Sequence, residues 1–244
     1  MPTLPLEGKS ALVTGGALRI GREIALTLAR TGADVAITFR TSQADAGATV
    51  RELESLGRNA TAIHCNVRSE SSVHDAIAAA VAHFGRLDLL INNAAVFNSA
   101  PLDSMSIEQW DAAFETNTRG PFLTAREALP HLRAVRGRIV NIGSLGGLHP
   151  WASHAHYCAS KAALHMLTLA MAKSFAPEVA VNCVAPGWIE SSESPDGEAR
   201  RFAARTPMQR NGTAADVAQA VLFFASGPGF VTGQILAVDG GLGL

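Results

Sequence analysis

The strongest constraint on the fold is an alternation that runs the length of the chain. Short β-rich runs are separated by longer stretches whose apolar residues recur at helical spacing. The strand runs are Ser10–Thr14, Val35–Phe39, Ala60–Cys65, Leu87–Ile91, Arg138–Ile142, Ala180–Val184 and Ile235–Val238. The helical runs are Ile20–Ala29, Ala44–Leu56, Ser71–Phe84, Ile107–Leu132, Ala155–Ser174 and Ala214–Ala225. Ala11-Leu12-Val13 and Leu89-Leu90-Ile91 are apolar on both faces, as strands of a parallel sheet covered on both sides must be. Alternating strands and helices imply right-handed βαβ units. The expected architecture is α/β: a doubly wound parallel sheet of about seven strands with helices on both faces. Ligands of such sheets sit at the carboxyl ends of the strands, so the residues just after each strand carry the functional argument.

Nothing divides the chain: there is no repeat, low-complexity block or Pro/Gly/Ser linker, so residues 1–244 are expected to form a single domain. With 48% hydrophobic and 17% charged residues, a disordered chain is excluded as a class. A net charge of −1 gives no electrostatic basis for a nucleic-acid partner. No uncharged apolar run reaches the roughly 18 residues needed to span a bilayer, so no membrane partner is expected. Met1–Gly8 lacks a basic segment followed by an apolar one, and Cys65, Cys158 and Cys183 lack metal-site or disulfide spacing. These features predict a reduced, cytoplasmic protein without a metal.

After the first strand comes Thr14-Gly15-Gly16-Ala17-Leu18-Arg19-Ile20-Gly21, then a helix. A glycine-rich strand-to-helix turn lets backbone approach a pyrophosphate while helix N–H groups face it, although an ordinary glycine turn reads the same way. The second strand ends in Arg40-Thr41-Ser42, where an NAD site usually carries an acid for the ribose 2′-hydroxyl. A cation followed by two hydroxyls suits a 2′-phosphate, and Arg19 adds a second positive charge, so NADP(H) is expected over NAD(H). Asn66-Val67 after the third strand and Asn93-Ala94-Ala95 after the fourth are small and polar enough to lie against adenine and cofactor, or to act simply as turn residues.

Tyr157 and Lys161 are four apart on an expected helix and share a face. Tyr157 is the only tyrosine in the chain. A neighbouring ammonium favours a phenolate and is expected to lower the tyrosine pKa. Ser144 follows the fifth strand and could hold a substrate oxygen beside the phenol; Asn117 falls inside the long run Ile107–Leu132. His149, Trp151, His154 and His156 crowd the approach to Tyr157, and in an irregular loop without a nearby carboxylate they read as pocket-mouth residues rather than metal ligands.

Over essentially its whole length the chain resembles the single-domain short-chain dehydrogenases/reductases. Thr14–Gly21 resembles their TGxxx[AG]xG turn and Asn92–Ala95 their NNAG turn. Asn117, Ser144, Tyr157 and Lys161 match their Asn-Ser-Tyr-Lys tetrad in order and spacing, and Pro186-Gly187 resembles their nicotinamide-facing turn, with Ile189 just beyond it. Arg210, Gly212 and Asp216-Val217-Ala218 resemble the segment that closes the substrate lid, while Gly233-Gln234 and Asp239-Gly240-Gly241 resemble the final strand. The resemblance implies a Rossmann-type fold and hydride transfer between NADP(H) and a small-molecule carbonyl/alcohol substrate. Tyr157 would exchange the proton, Ser144 orient the oxygen, Lys161 bind the nicotinamide ribose, and Asn117 hold a water linking Lys161 to solvent. It also implies a lid near residues 188–212 and a homotetramer or homodimer, paired through the helices near Ile107–Leu132 and Ala155–Ser174, with Leu164, Leu167 and Met171 as candidate interface residues.

Within the family the chain resembles the 3-oxoacyl-acyl-carrier-protein reductases, with some features similar to the pteridine reductase branch. Arg19 in the glycine turn and Phe97 after the fourth strand belong to that branch, whereas Ser144 stands where it commonly has aspartate. Phe97, Trp151 and Trp188 join Ser144 and Tyr157 on the expected substrate side, although Trp188 could equally anchor a loop. A non-catalytic NADP(H)-sensing regulator on the same fold is the alternative of another class. The intact tetrad argues against it.

Overall fold

In the computed structural model, residues 4–191 and 196–244 are described. Seven strands, β1 (Ser10–Val13), β2 (Asp34–Phe39), β3 (Ala60–His64), β4 (Leu89–Asn92), β5 (Arg138–Ile142), β6 (Ala180–Pro186) and β7 (Ile235–Val238), form one sheet in the order β3-β2-β1-β4-β5-β6-β7. Every neighbouring pair is parallel. The strand order reverses between β1 and β4, which opens a crevice at their carboxyl ends.

Helices α1 (Arg19–Arg30), α2 (Gln43–Ser55) and α8 (Ala214–Ser226) contribute Ile24, Leu28, Leu53, Val221 and Phe224 to the core on one face of the sheet. Helices α3 (Glu70–Phe84), α5 (Gly120–Val135) and α6 (Ala155–Phe175) contribute Val73, Ile77, Leu132 and Met171 to the core on the other. Successive side chains of β1 serve opposite cores, Ala11 and Val13 one and Leu12 the other, which is why this strand reads as an unbroken apolar run. Local chemistry sets several helix ends. The Ser69 hydroxyl accepts from the Ser72 amide to start α3, and Gly85 closes it in the left-handed region at φ 73°. Reciprocal side-chain and backbone bonds between Ser106 and Gln109 cap α4 (Ile107–Phe114), and the same arrangement of Thr213 with Asp216 caps α8.

Two features depart from the sequence reading. The run Ile107–Leu132, expected as one helix, is α4 and α5 joined by a π-helical turn, Glu115–Arg119, and Asn117 lies in that turn. In addition, α7 (Asp196–Arg205) forms inside the expected lid. Positions 192–195 of that lid lie outside the described residues. Among the described residues, no helix is long and apolar enough to cross a membrane.

Candidate active site

The glycine turn is stapled to both neighbouring strands. The Thr14 hydroxyl accepts from the amides of Asn93 (2.9 Å) and Ala94 (3.0 Å), and Asn93 Nδ2 donates to the carbonyls of Thr14 (2.9 Å) and Gly15 (3.0 Å). On the other side, the Gly15 amide donates to Thr38 Oγ1 at 3.2 Å and the Gly16 amide to the Thr38 carbonyl at 3.1 Å. Gly15 has φ +63°, which favours glycine, and a Cβ on Gly21 would collide with the Gly15 carbonyl and the Asn93 amide. Arg19 also sits at positive φ, 53°, at the start of α1.

This clip forms one wall of a cavity of about 470 Å³. Gly15, Arg19, Ile20, Gly21, Arg40, Thr41, Ser42, Asn66, Val67, Asn93, Ala94, Ala95 and Phe97 all line it, so residues from four strand ends converge as expected. Arg19 and Arg40 are exposed at its rim. Asn66 Oδ1 accepts from the Arg68 amide at 3.2 Å, leaving its second lone pair for a ligand. The lining also includes Thr38, Arg68 and Thr116, which the sequence reading did not single out. The signal for Arg68 was its place directly after Asn66-Val67; its Nε donates to Glu115 at 2.7 Å. Thr116 Oγ1 is buried without a hydrogen-bond partner. A glycine cradle, a cationic rim and a partnerless hydroxyl fit a phosphorylated dinucleotide.

The chemistry end lies beside this cleft. Phe97, a cavity-lining residue, meets the Tyr157 ring edge-on with centroids 4.7 Å apart. The Ser144 side chain lies beside the Tyr157 phenol, where it favours the phenolate, and its Oγ accepts from the Gly146 amide at 3.0 Å. Burial nevertheless wins at the phenol, pushing the Tyr157 pKa up to about 12, the reverse of the expected depression. Lys161 Nζ stands 5.8 Å from the Tyr157 ring centre and donates to the Ile142 carbonyl at 2.7 Å. That ammonium is 2% exposed, and desolvation brings its pKa down to about 8. One turn on, burial and the Lys161 charge bring the His165 imidazole down to about 4, and burial pushes the Cys183 thiol up to about 12. Around neutral pH, therefore, Lys161 is the one charge among these buried groups. His165 is wedged between Gly143 and Gly147, which flank Ser144, and its Nε2 accepts from the Ser144 amide at 3.4 Å.

Asn117 is fully buried, and its side chain is committed. Its Nδ2 donates to the Val96 carbonyl and to Ser160 Oγ, both at 3.0 Å, while its Oδ1 accepts from the Val96 amide at 2.9 Å. Ser160 Oγ in turn donates to the Tyr157 carbonyl at 2.8 Å, so Asn117 ties the segment after β4 to the tetrad helix. The π turn is what admits this amide, since one extra residue per turn rotates Asn117 off the regular helical face.

Pro186 ends β6, and the Gly187 amide donates to the Val238 carbonyl at 3.0 Å. Ile189 bridges to Gly212, which joins the two ends of the lid segment. Trp188 stacks on Phe202 of α7 within the lid segment, with ring centroids 4.1 Å apart. Trp151 lies nearly parallel to Tyr157 with centroids 6.2 Å apart. His154 stacks on Phe97 at 4.6 Å, and among the described residues no three His, Cys, Asp or Glu side chains converge as metal ligands. Leu164 and Met171, candidates for a subunit interface, are buried within the chain's own core, and Leu167 packs against it. Helical spacing alone could not distinguish the two fates.

Known proteins agree with this geometry. The family model described as Enoyl-(Acyl carrier protein) reductase matches residues 16–243. The 3-oxoacyl-[acyl-carrier-protein] reductase of Thermotoga maritima is 37% identical, covering 97% of this chain and 98% of its own. A short-chain dehydrogenase from Burkholderia cenocepacia, solved with NADP, superposes with a TM-score of 0.92 at 39% identity, covering 98% of this chain and 100% of its own. A 7α-hydroxysteroid dehydrogenase solved with NADH and 7-oxo glycochenodeoxycholic acid gives a TM-score of 0.93 at 32% identity, covering 98% and 96%. The two solved structures hold different cofactors, NADP and NADH, yet both superpose on nearly all of the chain. It therefore belongs to the short-chain dehydrogenase/reductase family of oxidoreductases.

Proposed function

We propose that this chain is an NADP(H)-dependent carbonyl reductase that works as one domain, converting a ketone or 3-oxoacyl group to the alcohol. The arrangement that carries the reading is Tyr157, with Ser144 beside its phenol, packed against Phe97 at the edge of a cleft rimmed by Arg19 and Arg40. A phenol with a pKa near 12 is protonated at neutral pH, as a donor to a developing alkoxide must be. The dihydronicotinamide supplies the hydride. Ser144 orients the carbonyl oxygen, Tyr157 Oη delivers its proton to that oxygen, and the Lys161 ammonium stabilises the phenolate left behind.

On the nucleotide side, the turn from Gly15 through Arg19 and Ile20 to Gly21 holds the pyrophosphate. Arg40, Thr41 and Ser42 take the 2′-phosphate, while Asn66 and Val67 flank the adenine. Asn93, Ala94 and Ala95 support the ribose side, Lys161 and Tyr157 the nicotinamide ribose, and Pro186, Gly187 and Ile189 the nicotinamide. The arginine rim and the absence of an acid at Arg40 favour NADP(H). Burial of both Asn117 amide protons in framework bonds favours a positioning role for that side chain over a direct proton relay.

Exposed Trp110 on α4, Phe122 on α5 and Met166 on α6 support pairing of two or four copies through these helices, in place of Leu164 and Met171. The protein is expected in the cytoplasm. A panel of ketones, 3-oxoacyl thioesters and dihydropterins, assayed by NADPH and NADH oxidation, tests the reading. Turnover of dihydropterins alone would replace it with a pteridine reductase. NADPH binding with no turnover of any compound would replace it with a sensor.

A further inference from the structure

Tyr157 stands within a wall of four rings. Phe97 meets it edge-on at 4.7 Å and Trp151 lies nearly parallel to it at 6.2 Å, with an interplanar angle of 15°. His154 stacks on Phe97 at 4.6 Å and 9°, and Trp151 faces both Phe97 (6.3 Å) and His154 (6.0 Å) edge-on. The wall joins two distant stretches that are stitched together by main chain. The Ala100 amide donates to the Ser153 carbonyl at 2.9 Å, and Ser99 Oγ donates to the same oxygen at 3.3 Å.

One face of Phe97 is taken by His154, yet the residue is 53% exposed and lines the cofactor cavity. An aromatic surface left open beside a proton donor gains most from another π face. The same stretches present no permanent charge to an acidic carrier, since neither Val96–Leu102 nor Ser144–Tyr157 contains Asp, Glu, Lys or Arg, and the ionisable groups besides Tyr157 are the imidazoles of His149, His154 and His156. They instead expose Leu102 and Leu148. A flexible, hydrated acyl thioester would lose rotor freedom against such a wall, whereas a rigid ring has little to lose.

Resting on carbonyl reduction at Tyr157, we infer that the substrate is a flat, uncharged ring ketone, an aryl or fused-ring carbonyl compound packed face-on to one of the mutually perpendicular rings of Phe97 and Trp151 and edge-on to the other, rather than a 3-oxoacyl chain. Phe97 and Trp151 are then the specificity-determining residues of the site.

The test compares kcat/KM for 1-tetralone and acetoacetyl-CoA with NADPH, in the unaltered enzyme and in Phe97→Leu and Trp151→Leu. The unaltered enzyme should prefer tetralone at least about tenfold, and the tetralone-to-thioester ratio should fall about fivefold in each variant, the size of one aromatic contact. A preference for acetoacetyl-CoA, or a ratio unmoved in both variants, overturns the inference and leaves carbonyl reduction standing. Calorimetric titration of tetralone into the enzyme saturated with NADP+ separates the two readings. Saturable binding that weakens in Phe97→Leu, without turnover of either compound, keeps the ring site and sinks carbonyl reduction. Absence of both tetralone binding and tetralone turnover sinks the ring site.

Discussion

At the nucleotide end of the cleft, the contacts come from backbone turns and exposed cations, with Arg19 and Arg40 at a solvated rim. At the chemistry end, beyond Phe97 and Tyr157, Lys161 is 2% exposed and two titratable groups that feel its charge, His165 and Cys183, are held neutral chiefly by burial. The first region recognises charge and stays in water, so each contact is modest and separable. The second confines one ammonium beside one phenol where burial shifts both, and the ammonium acts in turn on His165 and Cys183. Substitutions should therefore act selectively at the first end and steeply at the second.

The steepest expected loss is Tyr157→Phe, which should lower kcat by about 10²–10⁴ as a general acid is removed. NADPH affinity, measured by calorimetry, should change only about fivefold or less in the same variant, because Tyr157 supplies one contact to the nicotinamide ribose while the nucleotide end is untouched; a loss of affinity comparable to the loss of kcat would break the distinction between the ends. Next is Arg40→Asp. Losing a charge-assisted contact and adding repulsion to the 2′-phosphate should weaken NADPH use by roughly 10²-fold while leaving NADH use nearly constant. Equal losses with both cofactors would remove Arg40 from the 2′-phosphate site.

A smaller effect tests burial at the chemistry end through stability. His165 has a folded pKa of about 4 against 6.5 when unfolded, so between these values the unfolded chain binds the extra proton. Its contribution is fully present above pH 6.5 and is lost as pH falls toward 4. Thermal melts across that range should fall less steeply for His165→Gln than for the unaltered protein, with a difference on the order of 2 kcal/mol. Parallel slopes would mean that His165 is not held neutral by the fold. The smallest signal is spectroscopic. As the only tyrosine, Tyr157 should show little phenolate absorbance at the ordinary phenol midpoint of about 10. Half-titration at or below that midpoint would show that the Lys161 charge outweighs burial.

Much of this was legible in the chain itself. Arg138–Ile142 and Ile235–Val238 match their strands residue for residue, because each apolar run is bounded by polar or glycine residues. Strand β6 runs on to Pro186 because β7 pairs with it there, Pro186 opposite Val238, a partner no local pattern reveals. Helix α7 was missed because it offers few large apolar residues, and Phe202 is held by Trp188 from across the lid. The π turn at Asn117 was hidden because its residues keep helical spacing on both sides; only the demand of Asn117 for Val96 and Ser160 justifies the extra residue.

The sequence alone determined the sheet, the glycine turn and the placing of Arg40 at the end of the second strand, all of which depend on periodicity or on residues adjacent along the chain, while the four tetrad positions rested on the resemblance to the family. Only the tertiary structure decided the charge state of Tyr157, the burial of Leu164 and Met171, and the meeting of Phe97 with Trp151. Each depends on how much water is excluded and which distant segment does the excluding, and desolvation is a property of the assembled neighbourhood rather than of any stretch of residues.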